Sequence, residues 1–228
     1  QFGIEISYQI DGKDIVFDIP GKQSYKPATL KMDGDWSSAS NFIVAGALFG
    51  DVLIKGLRMD SCQADRAIVD IVRGCGGYVE EEDGGLRVKR SHLKAFEYDA
   101  TNSPDLFPVL AVLAAYCEGE SAIHGVERLR NKESDRKEAI LQNFKKMGVN
   151  IEVEDGTMYI EGISPARRYV EGKMLAKGNY QSFFDHRIAM AVMIASLGST
   201  EKMTLDNTEC INKSFPQFSQ ILKTLKNG

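Results

Sequence analysis

The 228-residue chain is short of several things. It has four cysteines, Cys62, Cys75, Cys117 and Cys210, scattered without metal or disulfide spacing. They read as reduced thiols in a cytosolic, hence cytoplasmic, setting. Three histidines leave little room for a zinc site. The longest apolar run, Ile188 to Leu197, is far below the ~20 residues of a membrane helix, and no secretory signal opens the sequence. There is no excess of positive charge: the net charge is −4, which argues against nucleic acid as the main partner. No glycine loop of the P-loop or dinucleotide type occurs, because Gly74 to Gly77 ends a helix instead. With 43% hydrophobic and 26% charged residues, disorder, collagen and coiled coil are excluded, and a soluble globular chain of one large or two small domains is expected.

What is present is a repeat. The stretches 3–17, 77–88 and 148–160 each read as a glycine, an alternating strand, an Asp-Gly turn and a second alternating strand. Asp-Gly supplies the positive φ angles of a tight hairpin. The period is about 70 residues, one supersecondary unit. Between hairpins the pattern predicts strands near 28–32, 52–57, 96–99, 121–126, 169–173 and 202–205. It predicts helices over 37–49, 63–73, 104–117, 133–147, 184–197 and 215–225. The unit is βαβαββ. Two complete units are expected, with a third split between the two ends of the chain. Residue 1 is Gln, so a preceding segment is expected to have been removed.

Cations stand at three helix starts of an acidic chain: Lys132 and Arg136 in Leu129-Arg-Asn-Lys-Glu-Ser-Asp-Arg136, Arg187 in Asp185-His-Arg, and Lys213 before the last helix. A helix N-terminus already carries partial positive charge, so cations are mildly unfavourable there. Converging on one point, they would form an anion site of dipoles, amides and guanidinium forks. Asp105, in Ser103-Pro-Asp, reads first as capping chemistry and second as an acceptor for a substrate hydroxyl proton. Glu133 is a first-turn acid or a proton carrier. His186 reads as an orienting neighbour. Trp36 reads as packing within the cap Asp35-Trp-Ser-Ser.

Together the segments Gly34-Asp-Trp-Ser-Ser-Ala-Ser40, Ser103-Pro-Asp-Leu106, Lys132-Glu-Ser-Asp-Arg136, Asp185-His-Arg-Ile-Ala-Met190 and Lys213-Ser-Phe-Pro216 resemble the C-terminal half of the EPSP synthases, over essentially the whole chain. The resemblance implies an inside-out α/β barrel of the enolpyruvyl transferase type. Residues 31–228 would be the C-terminal domain, its last unit incomplete. Residues 1–30 would be the terminal hairpin of a missing first domain, or would close the third unit.

It also implies transfer of the enolpyruvyl group of phosphoenolpyruvate to the 5-hydroxyl of shikimate 3-phosphate, without a cofactor, in aromatic amino-acid biosynthesis. Asp105 would accept the hydroxyl proton and Glu133 would take part in proton transfer. Lys132 would hold shikimate 3-phosphate, and Arg136, Arg187 and Lys213 would hold phosphoenolpyruvate. Arg128 stands where some members have an Asn ligand, and an Arg there could still reach a phosphate. The expected partners are these two substrates and the missing N-terminal domain. The chain alone is expected to be inactive. The alternatives are the related transferase acting on UDP-N-acetylglucosamine, which lacks the Lys-Glu-Ser-Asp-Arg segment, and a non-catalytic anion-binding module.

Overall fold

The computed structural model describes residues 2–12 and 14–226. It divides into two compact units, Gln1–Asp33 and Gly34–Gly228. The first holds an antiparallel hairpin of β1 (Ser7–Asp11) and β2 (Asp14–Asp18), paired from Ser7↔Asp18 to Asp11↔Asp14. Lys13 of its turn lies outside the described residues. All ten strand residues are exposed, Ile10, Val16 and Phe17 among them. Gln23 fixes the return of the chain by bonding both the N–H and the carbonyl of Glu5. The strand expected at 28–32 is irregular.

The second unit is α/β, with helices inside and sheets outside. Helices α1 (Trp36–Phe49), α3 (Phe107–Tyr116) and α6 (His186–Ala195) form its centre. All ten residues of α3 are buried, the signature of a helix enclosed on every side. Each central helix belongs to one repeat. The second repeat is complete: β6 (Glu97–Asp99), α3, β7 (Gly119–His124), α4 (Arg136–Lys146), β8 (Asn150–Glu154) and β9 (Thr157–Gly162). Its sheet runs β6-β7-β9-β8, with β6 parallel to β7 and the rest antiparallel.

The first repeat has α1, β3 (Asp51–Lys55), α2 (Ile68–Gly74), β4 (Tyr78–Glu82) and β5 (Gly85–Lys89), in a sheet ordered β3-β5-β4. It lacks an opening strand, so among the described residues one repeat is complete, not two. The third has β10 (Gly178–Tyr180), α6, β11 (Met203–Leu205) and α7 (Phe218–Lys226), with β10 parallel to β11.

Both hairpins of this unit turn on Asp-Gly pairs in the left-handed region, Asp83-Gly84 (φ 51 and 70) and Asp155-Gly156 (φ 47 and 77), as a two-residue turn requires. The strand expected at 169–173 is instead part of α5 (Pro165–Glu171). Ser164 caps it, Pro165 opens it, and Gly172 closes it at φ 67; these end signals outweigh the β-type residues Tyr169 and Val170, both exposed. Helix α4 begins at Arg136, not at Glu133, because Asp135 is the cap and accepts from the Glu138 N–H.

Candidate active site

The starts of α3, α4 and α6 converge through their side chains. Arg136, the first residue of α4, is 1% exposed. Its Nε donates to Asp185 Oδ2 at 2.7 Å, its Nη1 to Asp105 Oδ1 at 2.7 Å, and its Nη2 to Glu133 Oε2 at 2.6 Å. Asp185 caps α6 by accepting from the Arg187 N–H, and also accepts from Ser134 Oγ. Asp105, on the turn that leads into α3, takes two more cations: Lys132 Nζ at 3.3 Å on Oδ1 and Arg187 Nη2 at 3.1 Å on Oδ2. Lys213 Nζ lies 3.9 Å from Glu133 Oε1, and His186 Nδ1 lies 3.6 Å from the same oxygen. Exposure is graded across the network, from Asp185 at 0% through Arg187 at 16% and Asp105 at 33% to Lys213 at 48%.

The charges tune one another. Burial alone would raise Asp105, but Arg187, Arg136 and Lys132 outweigh it and hold its carboxyl below the usual range. Asp185 follows the same pattern: burial opposes ionisation, and Arg136, the Arg187 N–H and Ser134 override it. His186 is pushed down by burial and then by Arg187, against the pull of Asp185 and Glu133. Its buried Nδ1 has no hydrogen-bond partner. Four cations are thus paired with three carboxylates beside the His186 imidazole, one positive charge in excess within the ion-paired set.

Lys132, Glu133, Arg136, Asp105, Arg187 and Lys213 therefore lie in one ion-paired network. Arg128 stands apart from it, on a turn where its Nε donates to the Thr101 carbonyl. Sequence reasoning missed Asp185 as a member. Its capping position before an apolar helix was visible, but its second task under Arg136 depends on a contact 49 residues away. It also missed how α1 is anchored. The Gln63 side-chain amide accepts from the Trp36 N–H and donates to the Gly34 carbonyl, and Ser37 Oγ donates to the buried Asp65. An apolar groove of about 500 Å³ between α1, β3 and α7 includes Phe42, Ile54, Phe215 and Ile221 and holds none of these charged groups.

The α/β fold of inward helices is that of solved enolpyruvyl transferases. A solved EPSP synthase from Acinetobacter baumannii superposes with a TM-score of 0.80 at 27% identity, over 98% of this chain and 52% of that one. The enolpyruvyl transferase NikO from Streptomyces tendae, at 18% identity and a TM-score of 0.69, shares the fold. The 3-phosphoshikimate 1-carboxyvinyltransferase of Clostridium acetobutylicum is 39% identical over 99% of this chain and 49% of its own length. The sequence model of EPSP synthase (3-phosphoshikimate 1-carboxyvinyltransferase) matches residues 1–222. The chain belongs to that family. It spans about half the length of the curated relatives it matches.

Proposed function

We propose that this chain supplies one wall of an active site that transfers the enolpyruvyl group of phosphoenolpyruvate to the 5-hydroxyl of shikimate 3-phosphate. It would thereby serve the shikimate pathway to aromatic amino acids. The observation that carries the reading is Asp105: a partly exposed carboxylate gripped on both oxygens by Lys132, Arg136 and Arg187. Those cations are the ones that arriving phosphate and carboxylate groups would draw away. As Lys132 turns to shikimate 3-phosphate and Arg187 to phosphoenolpyruvate, Asp105 loses the charges that hold its proton affinity down. Binding therefore strengthens the base where the hydroxyl arrives.

In the first step the hydroxyl oxygen bonds to the central carbon of phosphoenolpyruvate. Its proton passes to Asp105, and the methylene carbon takes a proton that Glu133 relays from solvent. In the second, a methyl proton returns to a base, the carbon–oxygen bond to phosphate breaks, and phosphate leaves. Arg136 is saturated by three carboxylates, so it acts as the frame of the site and meets phosphoenolpyruvate by releasing Glu133 or Asp105. Lys213, the most exposed cation, is free to close over the carboxylate or phosphate. Arg128 could reach a phosphate with its Nη donors, since Thr101 occupies only its Nε.

The remaining shikimate 3-phosphate contacts are assigned to the rest of the protein. The Lys132-Glu-Ser-Asp-Arg136 segment favours this substrate over UDP-N-acetylglucosamine. The test is Asp105→Asn in the full-length enzyme. Phosphate release should fall by about 10²- to 10⁴-fold while phosphoenolpyruvate still binds. Retained turnover would remove Asp105 from the proton transfer, whereas anion binding with no turnover in the unsubstituted full-length protein would favour the non-catalytic anion-binding module instead.

A further inference from the structure

The chain reaches the start of α6 through two consecutive residues in the left-handed region, Phe183 (φ 52) and Phe184 (φ 55). A bulky residue at positive φ is an outlier, and two in succession persist only where the surroundings hold them. Phe183 packs against the core, whereas Phe184 is 72% exposed, so burial of the second ring does not account for its conformation.

The holding groups are identifiable. Asn143 is buried on α4, seven residues after Arg136 and so on the same face. Its Nδ2 donates to the Gln181 carbonyl at 2.8 Å, and its Oδ1 accepts from the Gln181 N–H at 3.1 Å. Asp206 accepts from the Ser182 N–H at 2.7 Å, and Ser182 Oγ accepts from the Phe184 N–H. Beyond the two phenylalanines, Asp185 is gripped by Arg136. One face of α4 therefore holds the segment at both ends, and the left-handed pair lies between the grips.

We propose that Asn143 is a positioning residue of the charged cluster: it locks the strained Phe183-Phe184 turn so that Asp185, His186 and Arg187 are delivered to the cluster in fixed register. The inference rests on reading the cluster as the substrate site. Its readouts use no substrate, so failure of phosphoenolpyruvate binding would sink that reading and leave this one to be judged separately.

The experiment is a double-mutant cycle of Asn143→Ala and Phe184→Gly in this chain, read by thermal unfolding and by NMR titration of the His186 imidazole. Glycine adopts positive φ without steric cost, so Phe184→Gly alone should keep or raise the melting temperature. Asn143→Ala alone should lower it. It should also move the His186 titration toward the ordinary value of 6.5, as the ring loosens from burial and from its neighbours Arg187, Asp185, Glu133 and Lys213. In the Phe184→Gly background both effects should be smaller than in the parent, since the turn that Asn143 holds no longer carries the strain of a bulky residue at positive φ and coupled sites are not additive. Equal effects in the two backgrounds would overturn the lock. An unmoved His186 titration in Asn143→Ala would overturn the positioning role. If Asn143→Ala does not fold, Asp206→Ala, which removes the anchor on Ser182, replaces it in the cycle with the same two criteria.

Discussion

Arg136 and Asp185 form the buried end of the network, at 1% and 0% exposure. Breaking such a pair leaves a charge that neither water nor a partner stabilises. Asp185→Ala should therefore cost about 3–5 kcal/mol in denaturant unfolding. A loss near 1 kcal/mol or less would mean that Asp105 and Glu133 alone can hold the guanidinium. The same groups set the acid limb of stability. His186 binds its proton more weakly folded than unfolded, so its contribution is full above the ordinary 6.5 and is lost as pH falls through its lower folded value. Asp105 and Asp185 are likewise depressed, so theirs is full above 3.8 and is lost as pH falls further. Melting temperature should be flat above pH 6.5 and decline in two stages below it. His186→Gln should remove the upper stage. A single stage unaffected by that substitution would show that His186 does not report on the fold. Asp65 runs the other way: burial raises it, so its ionisation opposes folding as pH rises through its folded value and partly offsets the gain from the other two.

At the scale of elements, the central helices and the sheets approach closely where glycine permits it. A Cβ on Gly162, at the end of β9, would run into the carbonyl oxygens of Ala114 and Cys117 at the end of α3. Both are backbone atoms and cannot swing aside. Gly162→Ala should cost about 1–3 kcal/mol or more by thermal or denaturant unfolding. Gly162→Ala melting with the parent chain would mean that β9 can move off α3 without cost. Repeat, hairpins and central helices were legible because Asp-Gly turns and apolar runs are local signals. Two elements were not. The 169–173 segment carries β-type residues, yet Ser164, Pro165 and Gly172 define a helix by its ends. Alternation alone suggested a strand at 28–32, but a strand needs a partner, and sequence reads pairing poorly. Arg136 and Arg187 were legible for a related reason: cations in the first turn of a helix are locally unfavourable and so conspicuous, whereas Lys132 and Lys213 lie four and five residues ahead of α4 and α7 and are not helix-start cations at all. Asp185 and Asn143 were not, because a cap and a buried amide look ordinary until the chain 38 to 49 residues away is brought beside them.

At the scale of the whole molecule, the charge balance bounds what this chain can do on the proposed reading. Lys132, Arg136, Arg187 and Lys213 are already engaged by Asp105, Asp185 and Glu133, a surplus of one cation. The two proposed substrates bring two carboxylates and two phosphate groups, each phosphate about −1.5 to −2 at pH 7. One surplus cation cannot compensate that load, and Lys213 at the rim is 48% exposed, in a high-dielectric setting where electrostatic stabilisation is weak. On the proposed reading the further cations come from an opposing wall; the chain spans about half the length of the curated relatives it matches. The chain alone should accordingly release no measurable phosphate from the two substrates. The full-length protein should turn over, and in it Lys213→Ala should weaken phosphoenolpyruvate more than shikimate 3-phosphate. Phosphate release by the isolated chain at a rate near that of the full-length enzyme would refute the argument, because it would mean that one surplus cation at an open site suffices for the chemistry.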